Sequence, residues 1–272
     1  MLACALDAQQ RARLAAALST RAQTEAVATF DGLRALLKAP PRVAAVVVGA
    51  REPGGESARR IVRELAQAWP TTPIVVYCHT NWRQDTDIRE LAASGAHQFV
   101  FAGVNDGVLA LRAALATARR QSAAERVMHH FAPIVPAPLH HVVEVALTRA
   151  DAVTEVSALA AALGVHRKTL FNMCRRAKFL GPAELLVWVR LALAAYLLET
   201  TRRSIERLAN ELAYPSPNAL RNAFRRRVGR PPSEVRSTDG LQAVLDAFAR
   251  RVSAHRSDSV ARGVRAGRRT TR

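Results

Sequence analysis

The chain has 272 residues, 49% hydrophobic and 23% charged, so it can bury a core and is too apolar for broad disorder. Forty Lys and Arg against 22 Asp and Glu give a formal charge of +18, with residues 1–120 at +5, 139–237 at +8 and 238–272 at +5. That balance suits a polyanion, an acidic membrane surface or an acidic protein, with nucleic acid favoured.

Cys4, Cys78 and Cys174 lie far apart with no CxxC pair, against a disulfide scaffold or a thiolate zinc site and in keeping with a reducing cytosol. The longest apolar stretch, residues 185–198, falls short of the ~18 residues of a membrane span and contains Arg190. The N-terminus has no basic region ahead of a sustained apolar run, so no secretion signal is read. A cytoplasmic protein without a membrane partner is expected.

In chain order, the first 120 residues alternate strand and helix. Residues 2–6 form a short apolar run, and residues 8–18 are Ala/Leu-rich with Arg on one side. Residues 26–30 read as a strand. Residues 31–39 read as a helix with Asp31 as its N-cap, stopped by Pro40 and Pro41. Residues 43–50 are a continuous β-branched run, as in a central parallel strand. A helix over 57–69 ends before Pro70, a strand covers 73–79, and a helix over 87–95 closes on Gly95. A strand at 97–102 and a helix at 105–120 follow. Five β-α units predict an α/β domain with a five-stranded parallel sheet.

Residues 121–138, with Pro133, Pro136 and Pro138, read as a linker. From Leu139 onward every segment reads as helix, which predicts an all-α domain over 139–237. Residues 238–272 are expected to hold a short helix and a disordered basic tail. That tail suits either DNA phosphates or a merely soluble end.

Two segments have the spacing of a helix-turn-helix. In 159–174, Ala160 allows a close helix crossing, Gly164 supplies the turn, and Leu170 and Cys174 lie one turn apart on the inner face. Arg167, Lys168, Phe171, Asn172 and Arg175 then point outward. In 208–224 the scheme recurs with Ala209, Ala213, Leu220 and Phe224, its turn one residue longer. Ser216 or Asn218 can cap its second helix, which presents Asn218, Arg221, Asn222, Arg225 and Arg226. Arg suits guanine or phosphate and Asn suits adenine. Arg226 and Arg227 are expected on phosphate. Between the units, Leu186, Val189, Leu193 and Tyr196 or Leu197 recur at helical spacing, so residues 185–199 read as an apolar strut fixing two reading heads for successive major grooves.

These residues resemble the AraC/XylS family of bacterial transcription regulators over about 139–237. The likeness runs through Arg190-Leu191, Ala194, Leu197-Leu198, Ile205, Leu208-Ala209, Ala213-Tyr214, Phe224, Gly229, Pro232 and Arg236. Ala213 stands for the family's usual glycine, Tyr214 for its Phe, Leu220 for an aromatic and Pro231 for Thr. The resemblance implies a sequence-specific regulator of promoter DNA, often beside RNA polymerase.

Residues 1–120 resemble the receiver domain of response regulators. Such a domain needs a phosphoacceptor Asp ending strand three, acidic Mg²⁺ ligands after strand one and a Lys after strand five. Gly49 stands at the Asp position, Ala102 at the Lys position, and only Asp7 remains near strand one. The expectation is a degenerate receiver used for homodimerisation or for sensing by contact, with no cofactor.

Other features read more plainly. His129-His130 and His140-His141 lack a Cys or carboxylate cluster and are not read as a metal site. Residues 52–56 are Gly-rich but lack the Lys-Ser/Thr of a phosphate loop. Asp85 and Asp87 read as helix caps, and Trp188 as core. Two other classes stay open: an enzyme built on the α/β domain, which lacks a phosphate loop and a nucleophile–base pair, and an adaptor whose basic helices bind acidic proteins without reading DNA sequence.

Overall fold

The computed structural model describes residues 2–18, 23–38, 43–52, 55–69, 72–79, 85–201, 203–236 and 239–267, excluding the side chains of 85–87 and 259–267. The chain divides into two compact units, Met1–Ser122 and Ala123–Arg272.

The first unit runs β1 (Leu2–Ala5), α1 (Ala8–Ala17), β2 (Thr24–Val27), α2 (Phe30–Lys38), β3 (Ala45–Gly49), α3 (Arg59–Ala68), β4 (Ile74–Cys78), α4 (Asp85–Ala93), β5 (Gln98–Phe101) and the start of α5 (Val108–Phe131). All strand pairs are parallel, in the order β2-β1-β3-β4-β5, which is the flavodoxin-like winding. The expected five-stranded parallel sheet is therefore present. Strands β1, β3 and β4 are buried along their whole length, which is why they read as unbroken apolar runs. Alternate residues serve opposite faces. Val46, Val48, Ile74 and Val76 pack with Leu33, Ile61 and Leu65, while Val47, Val75 and Tyr77 pack with Leu14, Leu111 and Leu115. Edge strand β2 is largely exposed.

Local chemistry sets the helix ends. Asp7 accepts from the Gln10 N–H at 2.8 Å, and the Gln10 side chain answers from the Asp7 N–H, a reciprocal capping box for α1. The cap of α2 is Thr29, not Asp31: Thr29 Oγ1 accepts from the Gly32 N–H at 3.1 Å. Asp31 sits inside the first turn and pairs with Arg34. Burial of Phe30 draws it into the helix, which moves the cap one residue earlier than its own position. Gly95 closes α4 with φ +108°, and a Cβ there would lie 2.6 Å from Ala66 Cβ. The helix stops expected at Pro40, Pro41 and Pro70, the carboxylates of Asp85 and Asp87, and part of the Gly-rich loop at 52–56 lie outside the described residues.

The second unit contains the end of α5, a 3₁₀ turn (Ala137–Leu139), α6 (His140–Thr148), α7 (Val156–Ala162), α8 (Arg167–Arg176), α9 (Pro182–Thr200), α10 (Ile205–Glu211), α11 (Pro217–Val228), α12 (Pro232–Val235) and α13 (Gly240–Gly267). The expected all-α region is present. Residues 121–131 are helical and not a linker. Ala123, Ala124, Val127 and Phe131 recur on one helical face and are buried in this unit's core, and the prolines fall after the helix has ended. The helix after residue 238 is not short either. α13 has 28 residues, and Leu241, Val244, Leu245, Phe248 and Val252 line its buried face. Residues 268–272 of the expected tail lie outside the described residues.

Helix α9 is the centre of this core. It packs against α6, α7, α8, α10, α12 and α13, so it is apolar on nearly every side. Phe248 stacks on Phe131 with ring centroids 4.8 Å apart, and stands 5.7 Å from the Trp188 ring and 6.1 Å from that of Phe179. Trp188 is core, as read from the sequence.

Candidate nucleic-acid interface

In each helix-turn-helix unit the first helix ends in a tightly closed turn. After α7, Gly164 takes φ +66°, its N–H reaches the Ala161 carbonyl at 3.0 Å, and the Val165 N–H reaches that of Ala160 at 3.0 Å. After α10, Ala213 takes φ +49°, its N–H reaches the Asn210 carbonyl at 3.1 Å, and the Tyr214 N–H reaches that of Ala209 at 2.8 Å. The two closures share one hydrogen-bond pattern, a Schellman motif. The extra residue of the second turn lies beyond it, among residues 214–216, ahead of the next helix.

The shared geometry fixes opposite outcomes for two substitutions. A Cβ at Gly164 would meet nothing within 4 Å, so Gly164→Ala is expected to cost about 1 kcal/mol through backbone strain alone. Ala213→Gly should relieve the same strain. It is expected to stabilise by less than about 1 kcal/mol, because glycine loses more freedom on folding. Urea denaturation of both variants checks the pair of signs.

Caps then orient the outward helices. The His166 ring Nδ1 accepts from the Lys168 N–H at 3.2 Å at the start of α8. Ser216, not Asn218, caps α11, accepting from the Ala219 N–H at 3.1 Å. The inner faces, Leu170 and Cys174 on α8, Leu220 and Phe224 on α11, are buried in the same hydrophobic cluster. Burial also pushes the Cys174 thiol up to about 11, so it is protonated and packs as an apolar group.

The outward faces carry the predicted residues. On α8, Arg167, Lys168 and Arg175 are exposed and Asn172 is half-buried. On α11, Asn218, Asn222, Arg225 and Arg226 are exposed and Arg221 is half-buried. Arg221 donates to Glu206 Oε1 at 2.8 Å and to Asn218 Oδ1 at 2.9 Å. The free head thus holds this guanidinium against the carboxylate of the preceding helix. Sequence spacing gives no sign of Glu206, which is 15 positions away. Phe171 is exposed beside these groups, with the Arg167 guanidinium 5.7 Å from its ring centroid.

Arg227, expected on phosphate, is exposed and paired within the protein. It pairs with Glu184 of α9 at 3.2 Å and lies 5.9 Å from the Trp188 ring. Arg251 of α13 grips the same carboxylate with two nitrogens, at 2.6 and 3.1 Å. Glu184 therefore joins α9, α11 and α13. Arg190 is buried within α9, donates to the carbonyl of Leu212 at the end of α10, and lies 4.4 Å from the Tyr214 ring. Burial pulls the Arg190 pKa down, and pushes the Tyr214 phenol up to about 12. The strut arginine thus holds the second turn shut from behind.

In the first unit, the C-terminal edge of the sheet holds the positions compared with a phosphoacceptor site. Gly49 ends β3, and a Cβ there would lie 3.1 Å from the Arg51 carbonyl and 3.5 Å from Gln10 Oε1. Asp7, bound into its capping box, lies 3.0 Å from His79 Nε2. Glu52 accepts from the Phe30 N–H. Ala102 follows β5 and donates its N–H to the Cys78 carbonyl at 2.9 Å. Tyr77 donates its hydroxyl to Asp106 at 2.7 Å, and Arg13 pairs with the same carboxylate. Burial pushes Asp106 up, but the Tyr77 hydroxyl, the Gly103 backbone and Arg13 outweigh it and hold the carboxyl below its ordinary range.

The histidine pairs are separate features. His129 and His130 have rings 5.7 Å apart, His140 Nε2 lies 2.9 Å from the Val135 carbonyl, and His141 faces Glu144 at 3.3 Å. Among the described residues, no three His, Cys, Asp or Glu side chains gather in a group able to hold a metal ion. None of the described helices is long and apolar enough to cross a membrane.

Comparison with known proteins matches residues 159–238 to a helix-turn-helix domain family. A stretch of 83 residues is 31% identical to histidine kinase P4 of Formosa agariphila, covering 30% of this chain and 6% of that protein's length. Among solved structures, a response regulator protein from Burkholderia pseudomallei, crystallised with a phosphorylated aspartic acid, calcium ion and citrate, aligns at a TM-score of 0.37 and 22% identity over 62% of this chain and 94% of that one. Full-length FixJ from B. japonicum aligns at 0.36 and 16% identity over 78% of this chain and 96% of that one. The chain carries a helix-turn-helix domain in its second unit, and its first holds a five-stranded parallel sheet in the flavodoxin-like order.

Proposed function

We propose that this chain is a sequence-specific DNA-binding transcription regulator of the AraC/XylS type, acting on promoter DNA in the cytoplasm. The observation that carries the reading is the pairing of two capped, outward cationic helices whose inner faces share one core with α9. A common core fixes the heads relative to each other, so both can address one duplex. Arg167, Lys168, Asn172, Arg175, Asn218, Arg221, Asn222 and Arg225 are assigned to DNA, with Asn and the helix N-terminal Arg residues discriminating bases and Arg226 on phosphate. RNA polymerase is the partner such a regulator would work beside.

The first unit is proposed to act without phosphorylation, in homodimerisation or in sensing by contact. Gly49 offers no carboxylate to attack, Ala102 no cation, and Asp7 is already engaged in a cap. Incubation with a small phosphodonor and Mg²⁺ is expected to add no phosphoryl mass. Stable phosphorylation of this unit would overturn that part of the proposal.

Mobility shift of the chain's own upstream DNA, against competitor and across a salt series, tests the main reading. A regulator is expected to retain one sequence over competitor as salt rises. Binding that is blind to sequence and fades with salt would instead favour an adaptor for acidic partners.

A further inference from the structure

The two heads share an outward Asn and Arg, Asn172 and Arg175 against Asn222 and Arg225, but differ at the outward position just before the Asn. Leu170 and Leu220 occupy the same inner site of their helices, so the next residue outward is Phe171 in α8 and Arg221 in α11. Phe171 is 42% exposed, one of few large apolar side chains so exposed among the described residues. Arg167 and Arg175 flank it one turn away on each side, and the Arg167 guanidinium lies 5.7 Å from its ring centroid. An aromatic ring set among cations and beside Asn172 is a poor fit for an apolar protein surface. It does fit a surface that is anionic at its rim and locally apolar at its floor.

The major groove has that combination at thymine, whose 5-methyl group is the apolar feature among the base edges. We propose that Phe171 reads the 5-methyl group of a thymine, held in place by Arg167, while Arg221 at the matching point of the second head reads guanine. This rests on the DNA-binding reading above and deepens it. The chain would then recognise two unlike half-sites, the first containing a thymine whose methyl matters and the second a guanine.

Duplexes selected by the full chain from a random pool provide the test. Each thymine is replaced in turn by deoxyuridine, which deletes the methyl group and keeps every hydrogen bond. Binding of the wild type and of Phe171→Ala is followed by fluorescence anisotropy. One replacement is expected to weaken wild-type binding about 3- to 5-fold, as loss of one buried methyl implies. Phe171→Ala should bind the two forms of that duplex equally. Phe171→Arg, which copies the second head, should shift the preference at that base pair from thymine toward guanine. Circular dichroism should be unchanged, because the ring is exposed. Selection of a sequence in which no thymine methyl couples to Phe171 overturns this inference alone. Failure to select any sequence overturns the DNA-binding reading as well. Selection unaffected by Phe171→Ala at every base pair assigns the ring to a protein contact and overturns the inference.

Discussion

Phe248→Ala is expected to lower the unfolding free energy of the second unit by about 3–5 kcal/mol, the usual cost of emptying a fully buried aromatic site. Phe248 is 0% exposed and meets Phe131, Phe179 and Trp188, which come from α5, the end of the first head and the strut. The surroundings cannot collapse easily into the vacated space, because those rings are anchored on different elements. Trp188 is in addition covered by Arg227, which Glu184 holds. A loss of this size is a large part of the ~5–15 kcal/mol that stabilises a typical domain. Phe248→Leu keeps most of the apolar volume and should cost much less. Urea denaturation followed by far-ultraviolet circular dichroism measures both; a loss below about 1 kcal/mol for the alanine variant would show that α13 is not part of the cooperative unit. The same packing predicts that a chain cut after residue 238 loses this unit's cooperative transition, although the helix-turn-helix family match ends there.

Strands β3 and β4 were legible because burial on both faces leaves only β-branched residues in Val46–Val48 and Ile74–Val76. The heads were legible because their constraints are local: a small residue at the crossing, a left-handed turn position, a cap and two inner apolar residues one turn apart. Ala213 stands where the resemblance leads one to expect glycine, and it nonetheless adopts the left-handed conformation that glycine would serve. The continuation of α5 leaves a weak trace in the sequence, because Pro133, Pro136 and Pro138 signal a break and half of its buried face, Ala123, Ala124, Val127 and Phe131, is alanine. The length of α13 is masked in the sequence by its Ser- and Arg-rich end, which follows the helical spacing of Leu241, Val244, Leu245, Phe248 and Val252. Contacts between distant parts of the chain left no signal. Glu184 meets Arg227 and Arg251 at separations of 43 and 67 positions, a pairing that no sequence spacing announces.

Arg221→Ala is expected to weaken binding of the chain's selected duplex by about 5- to 150-fold, equivalent to about 1–3 kcal/mol, and to relax selectivity at one base pair. In the free protein this guanidinium is committed to Glu206 and Asn218, so DNA must compete for it. The competition is uneven. Arg221 is 34% exposed and Glu206 58%, and a pair so open to water is held only weakly. A bidentate contact to guanine is worth about 1–3 kcal/mol of discrimination, enough to draw the side chain off the carboxylate. Glu206→Gln should therefore cost little stability and tighten binding a few-fold on every sequence, because it removes a negative charge from the DNA-facing side. Arg221→Lys should restore little of the selectivity, since an ammonium cannot make the two-pronged contact. Anisotropy titrations of the three variants on the selected duplex and on one with that guanine exchanged separate the roles. A loss from Arg221→Ala that is equal on both duplexes and flattens the salt dependence would place this residue on phosphate and leave Asn218 and Asn222 to read the second half-site.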